Sequence, residues 1–510
     1  MRILRRFTHY SVRFAAITAF VFACSAHAAD PNKILRLAQG DIATLDPHQW
    51  IDYFSGWVGA AIFEGLYEWD YLARPVRLAP NTAEALPQIS DDGRTWTMRV
   101  KPGIYFTDDP AFNGKPRELT AQDFVYSFKR RLDPNLRPGG QGALMDALVG
   151  ARAAFDAARK PGAKFDYDAA LEGVRALDRY TIQFRLVQPN YPVMEQYLTD
   201  TYAVAREVVD AAGRDIDTRP VGTGPYRLKA WKRGASIVLE ANPNYRELRF
   251  PESSNPADAA LVREMHGKRL PQIGVVRISI IEEMQSRLLD FERGGLDYVE
   301  IAGESANRLL QKGKLKPEYG AAGIRHYILP SSYVRYTIFN LNDPLIGGLG
   351  KEHIALRRAI ALSFDSDALV NVAYAGQAQT VGQLVGPIST TYDIALPKKM
   401  PYDPAAARAL LDRAGYDKRD QENYRLQPDG SSLAVTILTR PGTLWRDWET
   451  LWKKSLDAIG LRVRFRELPA QDQFKEMQNG RFQMGILGWG GSPLGYRALQ
   501  LLDSRQPPFT

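Results

Sequence analysis

The chain has 510 residues, of which 45% are hydrophobic and 24% charged, and its formal net charge is +8. At roughly 100 to 200 residues per domain, this length predicts two to four domains with several buried cores. Basic and acidic residues are interspersed and form no lysine- or arginine-rich run, which argues against nucleic-acid binding. The single cysteine, Cys24, excludes a fold held by internal disulfides.

Residues 1–28 have the pattern of an export signal. Four arginines precede a ten-residue apolar run, Phe14 to Ala23, and Ala26-His27-Ala28 gives a cleavage pattern. The run is too short for a permanent membrane-spanning helix. We therefore expect a mature chain that begins at Ala29 in the periplasm of a Gram-negative cell, with a net charge of about +4 once the four arginines are removed. The alternative is a lipoprotein anchored through Cys24.

The first predicted strand covers residues 34–38 and leads into Leu45-Asp46-Pro47-His48. Because proline restricts the preceding residue to extended backbone, this segment predicts a turn. A lone histidine there is expected to be a structural hydrogen-bonding residue, not a ligand. Further on, Trp96 and Met98 alternate with polar residues after the Asp92-Gly93 turn, which predicts a half-buried strand.

Thr120 begins a predicted helix in which Asp123 completes a capping box, and Phe124 and Phe128 lie one turn apart on the core side. A strand around 182–186 follows. Residues 137–168, rich in Ala, Gly, Lys and Arg, predict a surface insertion.

The segment Val221-Gly222-Thr223-Gly224-Pro225-Tyr226 predicts a turn, and the alternating residues on either side predict a hairpin or strand corner. No Lys-Ser or Lys-Thr pair closes the glycine pattern, so it is not a phosphate loop. Later segments predict a buried strand at 275–281, a helix from Asp403 to Gly415, a helix closed by Gly460, and then another strand. This alternation predicts α/β layers.

The sequence lacks the patterns of a catalytic or metal centre. No two of its six histidines have the spacing of helical metal ligands, and neither a Gly-x-Ser-x-Gly elbow nor a dinucleotide loop is present. These observations predict a binding protein that is not an enzyme and uses no metal or cofactor. An extended peptide could be held by pairing its backbone with protein strands, with hydrated pockets for its side chains.

Several motifs resemble one family. They are "LDPH" at 45–48, "FEGL" at 63–66, the block 78–134, "GTGPY" at 222–226 and "IVLEANPNY" at 237–245. Together they resemble the periplasmic oligopeptide- and dipeptide-binding proteins, the family 5 solute-binding subunits of ABC importers. The resemblance implies a two-lobed α/β periplasmic binding protein fold, type II-like, with an additional domain inserted in the first lobe and hinge closure on the solute.

On this resemblance we divide the chain into a signal peptide, two segments of lobe I separated by the extra domain, and lobe II. The ranges are 1–28 for the signal peptide, 29–60 and 192–274 for lobe I, 61–191 for the extra domain and 275–510 for lobe II. The family continues for several dozen residues beyond its Gly-Trp-Gly motif and returns to the first lobe. We therefore expect that this sequence, which stops at Thr510, is C-terminally truncated.

The resemblance also implies ligand-binding residues. Backbone partners for a peptide are expected at Asp52, Tyr53 and Phe54, and at Gly488-Trp489-Gly490. Arg440, in Arg440-Pro441, matches the residue that holds the ligand carboxylate in dipeptide binders, a task for which the planar guanidinium is suited. A surface arginine at a turn is the alternative.

Ser492 departs from the family, whose peptide binders have an aspartate there for the ligand ammonium. A hydroxyl replaces only part of what a carboxylate offers a buried charge. This favours a rival solute of the same family: a sugar, a haem or nickel complex, a modified peptide or an antibiotic.

The expected partners are a small peptide-like solute and the permease and ATPase complex of an inner-membrane ABC transporter, with the binding protein a monomer. An exported hydrolase is a remote alternative, because it would need a nucleophile and base that the sequence does not show.

Overall fold

The computed structural model describes residues 29–50, 52–73, 76–136, 141–253, 255–301, 303–311, 313–328, 333–389, 391–397 and 399–489. Within these ranges, no helix combines the length and apolar character needed to cross a lipid bilayer. The elements alternate between strands and helices, as the sequence predicts for an α/β protein.

The strands are β1 (Asp30–Gln39), β2 (Tyr67–Trp69), β3 (Leu78–Pro80), β4 (Gln88–Ile89), β5 (Thr95–Arg99), β6 (Val174–Ala176), β7 (Thr181–Arg185), β8 (Tyr226–Lys232), β9 (Ser236–Ala241), β10 (Leu248–Arg249), β11 (Arg269–Leu270), β12 (Ile273–Ile280), β13 (Leu310–Gln311), β14 (Lys314–Leu315), β15 (Val334–Phe339), β16 (Ala434–Thr439), β17 (Arg462–Glu467) and β18 (Met484–Trp489).

The α-helices are α1 (Tyr53–Gly59), α2 (Ala121–Leu132), α3 (Gln141–Ala147), α4 (Ala151–Ala158), α5 (Tyr191–Asp200), α6 (Arg206–Ala212), α7 (Ala259–Met265), α8 (Met284–Glu292), α9 (Gly303–Leu309), α10 (Pro317–Ala321), α11 (Lys351–Ser363), α12 (Ser366–Tyr374), α13 (Pro404–Arg413), α14 (Thr443–Ala458) and α15 (Ala470–Gln478). Short 3₁₀ turns occupy Pro110–Phe112, Gly213–Asp217 and Pro256–Asp258.

The first sheet has the strand order β1-β12-β9-β8, and β8 and β9 form the hairpin predicted after the "GTGPY" turn. Strand β12 pairs in parallel with β1, from Ile34–Val275 to Gln39–Ile280, and antiparallel with β9. The predicted lobe boundary at residue 275 is therefore wrong in position, since it cuts a strand whose backbone is paired on both sides. The segment of the first sheet extends through Ile280.

Close backbone approach explains the glycines of the turn. A Cβ on Gly222 would lie 2.0 Å from the carbonyl oxygen of Ile62, and the Gly224 N–H donates to that same oxygen at 2.8 Å. Beside them, Glu64 accepts from the Thr223 hydroxyl at 2.9 Å and from Arg246 at 2.7 Å. The separate motifs thus meet in one buried polar network.

A second buried network involves the turn after β1. Arg130 of α2 donates to both carboxylate oxygens of Asp46, at 2.7 and 3.3 Å, and its Nη1 lies 3.3 Å from His48 Nδ1. The other ring nitrogen of His48 lies 3.0 Å from the Tyr202 carbonyl oxygen. All three side chains are at most 2% exposed. His48 is therefore a structural hydrogen-bonding residue, as predicted.

The second sheet, β4-β5-β7-β6, packs against α2. The capping box of Thr120 and Asp123 is present, and Phe124 and Phe128 are fully buried, which confirms the predicted helix. The predicted surface insertion at 137–168 is wrong in part. Helices α3 and α4 lie in that range and bury alanine and leucine side chains in the same core, because their small residues permit close helix packing.

This core also extends past the predicted end of the extra domain at residue 191. It includes Val193 and Tyr197 of α5, Val208 of α6, and Val221. The end of the extra domain was predicted too early, because the polar turn before α5 does not interrupt the buried apolar surface. The division of the chain into lobes otherwise stays a prediction.

The third sheet has the order β15-β18-β16-β17 and is covered by α11 to α14. Helix α13 begins as predicted, with Asp403 accepting from the Ala406 N–H at 2.8 Å. Trp448 and Trp452 of α14 are buried in the core beside Ile459, also as predicted. This sheet brings together the residues discussed next.

Candidate ligand-binding site

One edge of the third sheet collects three of the predicted ligand residues. Strands β16 and β18 run in parallel while β15 is antiparallel to β18, so the start of β15 meets the ends of the other two. Trp489 is paired with Val334 and Gly488 with Arg335, while Arg440 directly follows β16. In open α/β sheets ligands bind outside the carboxyl ends of such strands. The fold thus brings Arg440, Gly488 and Trp489 to one edge.

Arg440 is held in a fixed orientation. Its Nε donates to Gln473 Oε1 at 2.5 Å, and the fully buried Gln473 amide donates in turn to the carbonyl oxygens of Leu438 and Ile486. Its guanidinium carbon lies 5.1 Å from the centre of the Trp445 ring. Within the described ranges, the two terminal nitrogens of Arg440 meet no protein acceptor. They are available to a planar anion.

Arg335 lies beside Arg440 and was not predicted. Its guanidinium carbon is 5.1 Å from the same Trp445 ring, 5.5 Å from Tyr333 and 5.9 Å from Tyr374. Nη1 donates to the Tyr374 hydroxyl at 2.5 Å, whereas the buried Nε has no hydrogen-bond partner. A charged residue inside the apolar run of β15 was the sequence signal that could have identified it.

The guanidinium groups of Arg335 and Arg440 therefore both lie against the Trp445 ring. Burial lowers the pKa of Arg440, and the neighbouring Arg335 lowers it further. Arginine remains protonated in proteins, so both groups stay charged. No described carboxylate forms an ion pair with either of them. The buried arginines Arg130 and Arg246, by contrast, each lie 2.7 Å from a carboxylate oxygen. The edge is electropositive and without an internal counter-charge.

Gly488 is required by the neighbouring ring. A Cβ at this position would lie 1.6 Å from the Tyr333 hydroxyl oxygen, so any side chain would displace that ring. Tyr333 is half-exposed at the edge beside Arg335. The glycine of the predicted Gly-Trp-Gly motif thus leaves room for the Tyr333 ring, and its backbone role in binding stays a prediction.

The second predicted group, Asp52, Tyr53 and Phe54, begins helix α1. From Tyr53 onward this backbone is helical, with Asp52 as the N-cap, and its role in binding a peptide stays a prediction. Its two carboxylate oxygens accept from the Ser55 N–H at 2.8 Å and the Ser55 hydroxyl at 2.6 Å. First-turn N–H groups still lack acceptors inside the helix and can serve a ligand.

The side chains of α1 form an aromatic surface. Tyr53, 63% exposed, stacks on Trp57 at 6.2 Å and contacts Phe54 edge-on at 5.8 Å. Burial raises the pKa of Tyr53 and the Glu300 carboxylate raises it further, which keeps the hydroxyl neutral. In the described part of the chain, this group shares no hydrogen bond, ion pair or ring contact with the edge at Arg440.

Gly490, Ser492 and the side chain of Trp489 lie outside the described residues. Among the residues that are described, no cluster of three His, Cys, Asp or Glu side chains could hold a metal ion. Two surface depressions of about 540 and 340 Å³ lie elsewhere, one beside α7 and one at the opposite edge of the third sheet, and neither contains a predicted ligand residue.

Comparison with known proteins shows the family. Residues 77–504 match the profile described as "Bacterial extracellular solute-binding proteins, family 5 Middle". The di/tripeptide-binding protein 2 of Pseudomonas aeruginosa is 24% identical over 501 residues, covering 94% of this chain and 80% of that protein. The heme-binding protein A of Haemophilus influenzae is 24% identical over 420 residues, covering 81% and 66%.

The fold is that of solved members. The murein tripeptide binding protein MppA of Escherichia coli superposes with a TM-score of 0.69 at 19% identity, covering 94% of this chain and 84% of that one. This likeness confirms the predicted two-lobed α/β architecture.

Proposed function

Because the chain belongs to the bacterial extracellular solute-binding proteins of family 5, we propose that it captures a peptide or peptide-like solute and delivers it to an ABC importer. Proteins of this family bind solutes outside the cytoplasm. The proposal of a peptide draws on the di/tripeptide- and dipeptide-binding names of its relatives in Pseudomonas aeruginosa and Escherichia coli. The partners in delivery would be the permease and ATPase complex of the inner membrane, with the binding protein a monomer.

The observation that carries the proposal is the free end of Arg440. Gln473 fixes one side of the guanidinium and leaves the terminal nitrogens without a protein acceptor, next to the Gly488 backbone. A peptide carboxylate accepts two parallel hydrogen bonds from such a group. The aromatic surface of α1 would close over the bound solute by hinge motion.

Substitution of Arg440 tests this role. Removing one partner of a desolvated, hydrogen-bonded charge pair costs about 2–5 kcal/mol, so Arg440→Ala should weaken binding of a di- or tripeptide at least roughly tenfold. Calorimetric titration measures the change. Arg446→Ala is the matched control, since Arg446 is an exposed arginine of the first turn of α14 and should leave the affinity unchanged. Unchanged affinity of the Arg440 variant would make Arg440 a surface turn residue.

Export to the periplasm is part of the proposal and rests on residues 1–28. N-terminal sequencing of the exported protein should give a chain that starts at Ala29. A chain that starts at a lipid-modified Cys24 would contradict the soluble form and would place the protein at a membrane surface.

A non-peptide solute is the second candidate, and Ser492 is the observation that favours it. One similar protein is named as heme-binding, and another was solved with Fe(III)-EDTA. Native mass spectrometry of freshly purified protein would identify a retained solute and decide between the two candidates. Incubation with peptides and a search for cleavage products tests the remaining hydrolase alternative, for which we expect no turnover.

A further inference from the structure

Arg335 and Arg440, at the edge of the third sheet, together carry two positive charges, and one carboxylate can balance only one of them. Their guanidinium carbons each lie 5.1 Å from the centre of the Trp445 ring, so they cannot be farther apart than twice that distance. Like charges this close repel in a partly buried setting. A single carboxylate would neutralise one of them and leave the other uncompensated.

Neighbouring groups do not supply the missing charge. The nearest hydroxyl partner of Arg335 is Tyr374, and Gln473, which orients Arg440, is neutral. Glu449 of α14 accepts from the Thr439 hydroxyl instead, and burial raises the pKa of its carboxyl. The aromatic rings stabilise the cations only in part, because a ring carries no net negative charge.

The start of α14 adds to the positive field. Gly442 caps this sixteen-residue helix without a side-chain hydrogen bond, and its first turn carries no acidic residue. The helix dipole favours an anion at such an end. Arg440 and Trp445 flank this end, so the guanidinium pair and the unfilled N–H groups border the same region.

We propose that Arg335 and Arg440 together form a subsite for two carboxylates at one end of the solute, so that the preferred solute is a peptide with an acidic C-terminal residue. This inference rests on the proposed function. Arg440 binds the α-carboxylate, and Arg335 binds the side-chain carboxylate through its terminal nitrogens, while its Nε is enclosed within the protein. The rings of Tyr333 and Trp445 pack against the Arg335 guanidinium and limit the conformations that this side chain can adopt.

A pair of tripeptides that differ in one charge tests the inference. Calorimetric titration of the full chain compares Ala-Ala-Glu with the isosteric Ala-Ala-Gln, and we expect the acidic peptide to bind roughly tenfold or more tightly, as a charged hydrogen bond allows. In Arg335→Gln this preference should disappear while Ala-Ala-Gln binds as before. In Arg440→Gln both peptides should bind weakly. Arg446→Gln, which removes a nearby exposed charge, should keep the preference.

Arg335→Lys shows whether the effect of Arg335→Gln comes from misfolding, because lysine keeps the charge but lacks the planar guanidinium. We expect it to melt like the parent and to show a reduced preference. Equal affinity of the two tripeptides for the parent would overturn the two-carboxylate subsite and leave peptide binding intact. Failure of both peptides to bind would refute the proposed function itself. Displacement of Ala-Ala-Glu by millimolar inorganic phosphate, without displacement by glutarate, would overturn the dicarboxylate form and assign the subsite to phosphate.

Discussion

His48 illustrates how one side chain can be tied into a fold without any ligand role. Arginine can only donate, so the contact with Arg130 makes Nδ1 the acceptor, and Nε2 then donates its proton to the Tyr202 carbonyl. Burial lowers the pKa of His48 well below 6.5, and repulsion from Arg130 lowers it further. The folded protein therefore holds this imidazole neutral.

The consequence is a pH-dependent stability. Below pH 6.5 the unfolded chain takes up a proton on His48 and the folded chain does not, so the free energy of unfolding falls as the pH decreases, by at most about 1.4 kcal/mol per unit. His48→Gln should flatten this slope between pH 7 and 5 in urea unfolding. Arg446→Gln, an exposed substitution whose side chain does not titrate between pH 7 and 5, provides the control and should keep the parental slope. An unchanged slope in the His48 variant would contradict the neutral, buried state.

Asp46 acts in the same direction at lower pH. Burial raises the pKa of its carboxyl, but Arg130 and the other nearby donors more than offset this, and the net pKa lies below 3.8. Its contribution to stability is present above that value and is lost as the pH falls further.

We expect Ser492 to affect the other end of the solute, where its family position implies contact with the peptide ammonium. Because Ser55 engages both oxygens of Asp52, that carboxylate is a poor substitute partner for a peptide ammonium. We expect the protein to bind N-acetylated and free peptides about equally well. Ser492→Asp should favour free over acetylated peptide by roughly ten- to hundredfold, since a hydrogen bond to a charged group is worth ~1.5–3 kcal/mol. Competition titration measures the ratio, with Ser492→Asn as the uncharged control. A strong preference for free peptides in the parent would refute this expectation.

At the scale of elements, α1 depends on its cap. The helix has seven residues and is too short to be stable alone, so the Asp52 hydrogen bonds to Ser55 matter for its position. Without this cap, Tyr53, Phe54 and Trp57 would lose the backbone that holds their rings together.

Two substitutions separate the capping role of Asp52 from a ligand role. Asp52→Ala should lower the free energy of unfolding by about 0.5–2 kcal/mol, whereas Asp52→Ser keeps a capping oxygen and most of the stability. Asp52→Ser should also leave peptide affinity within about twofold, because the carboxylate serves the helix. Urea unfolding and calorimetry give the two numbers. A large loss of affinity in Asp52→Ser alone would assign the carboxylate to the solute.

At the scale of the whole molecule, the chain passes from the first sheet to the third after Ile280. The segment that follows is attached to β1, where Arg36 binds the Asp297 carboxylate at 2.6 Å and the Asp297 N–H donates to the Arg36 carbonyl oxygen at 2.8 Å. Any closing motion of the lobes must therefore be absorbed at the chain positions beyond this attachment.

Ligand binding should change both size and stability. We expect the radius of gyration from small-angle X-ray scattering to decrease when a bound peptide closes the lobes, and the free energy of unfolding to rise by about 2.7 kcal/mol at a hundredfold excess over Kd. Arg440→Ala should show neither change at the same peptide concentration. Stabilisation without compaction would contradict the hinge model while leaving binding in place.

Motifs and local residue patterns were sufficient to predict the family, the α/β class and many elements. Local signals suffice for these features, such as the capping box of Thr120, the cap and proline of α13 and the hairpin after Gly224, because each depends on residues a few positions apart. The structure confirms them. A predicted domain boundary was wrong where pairing between distant segments sets the extent of a sheet. The boundary at residue 275 falls within β12, whose partner β1 lies more than 230 residues earlier in the chain.

The residues of the candidate site also differ in how far the sequence identifies them. Arg440 and Gly488 could be chosen from the sequence because motifs mark them, although their role in binding stays a prediction. The charge of Arg335 within the apolar run of β15 marks the residue in the sequence, but its role depends on the antiparallel pairing of β15 with β18 and on Tyr374 and Trp445, which belong to two different helices. Only the tertiary structure decides which side chains share an edge, because charges interact through space, and the sequence records only their order along the chain.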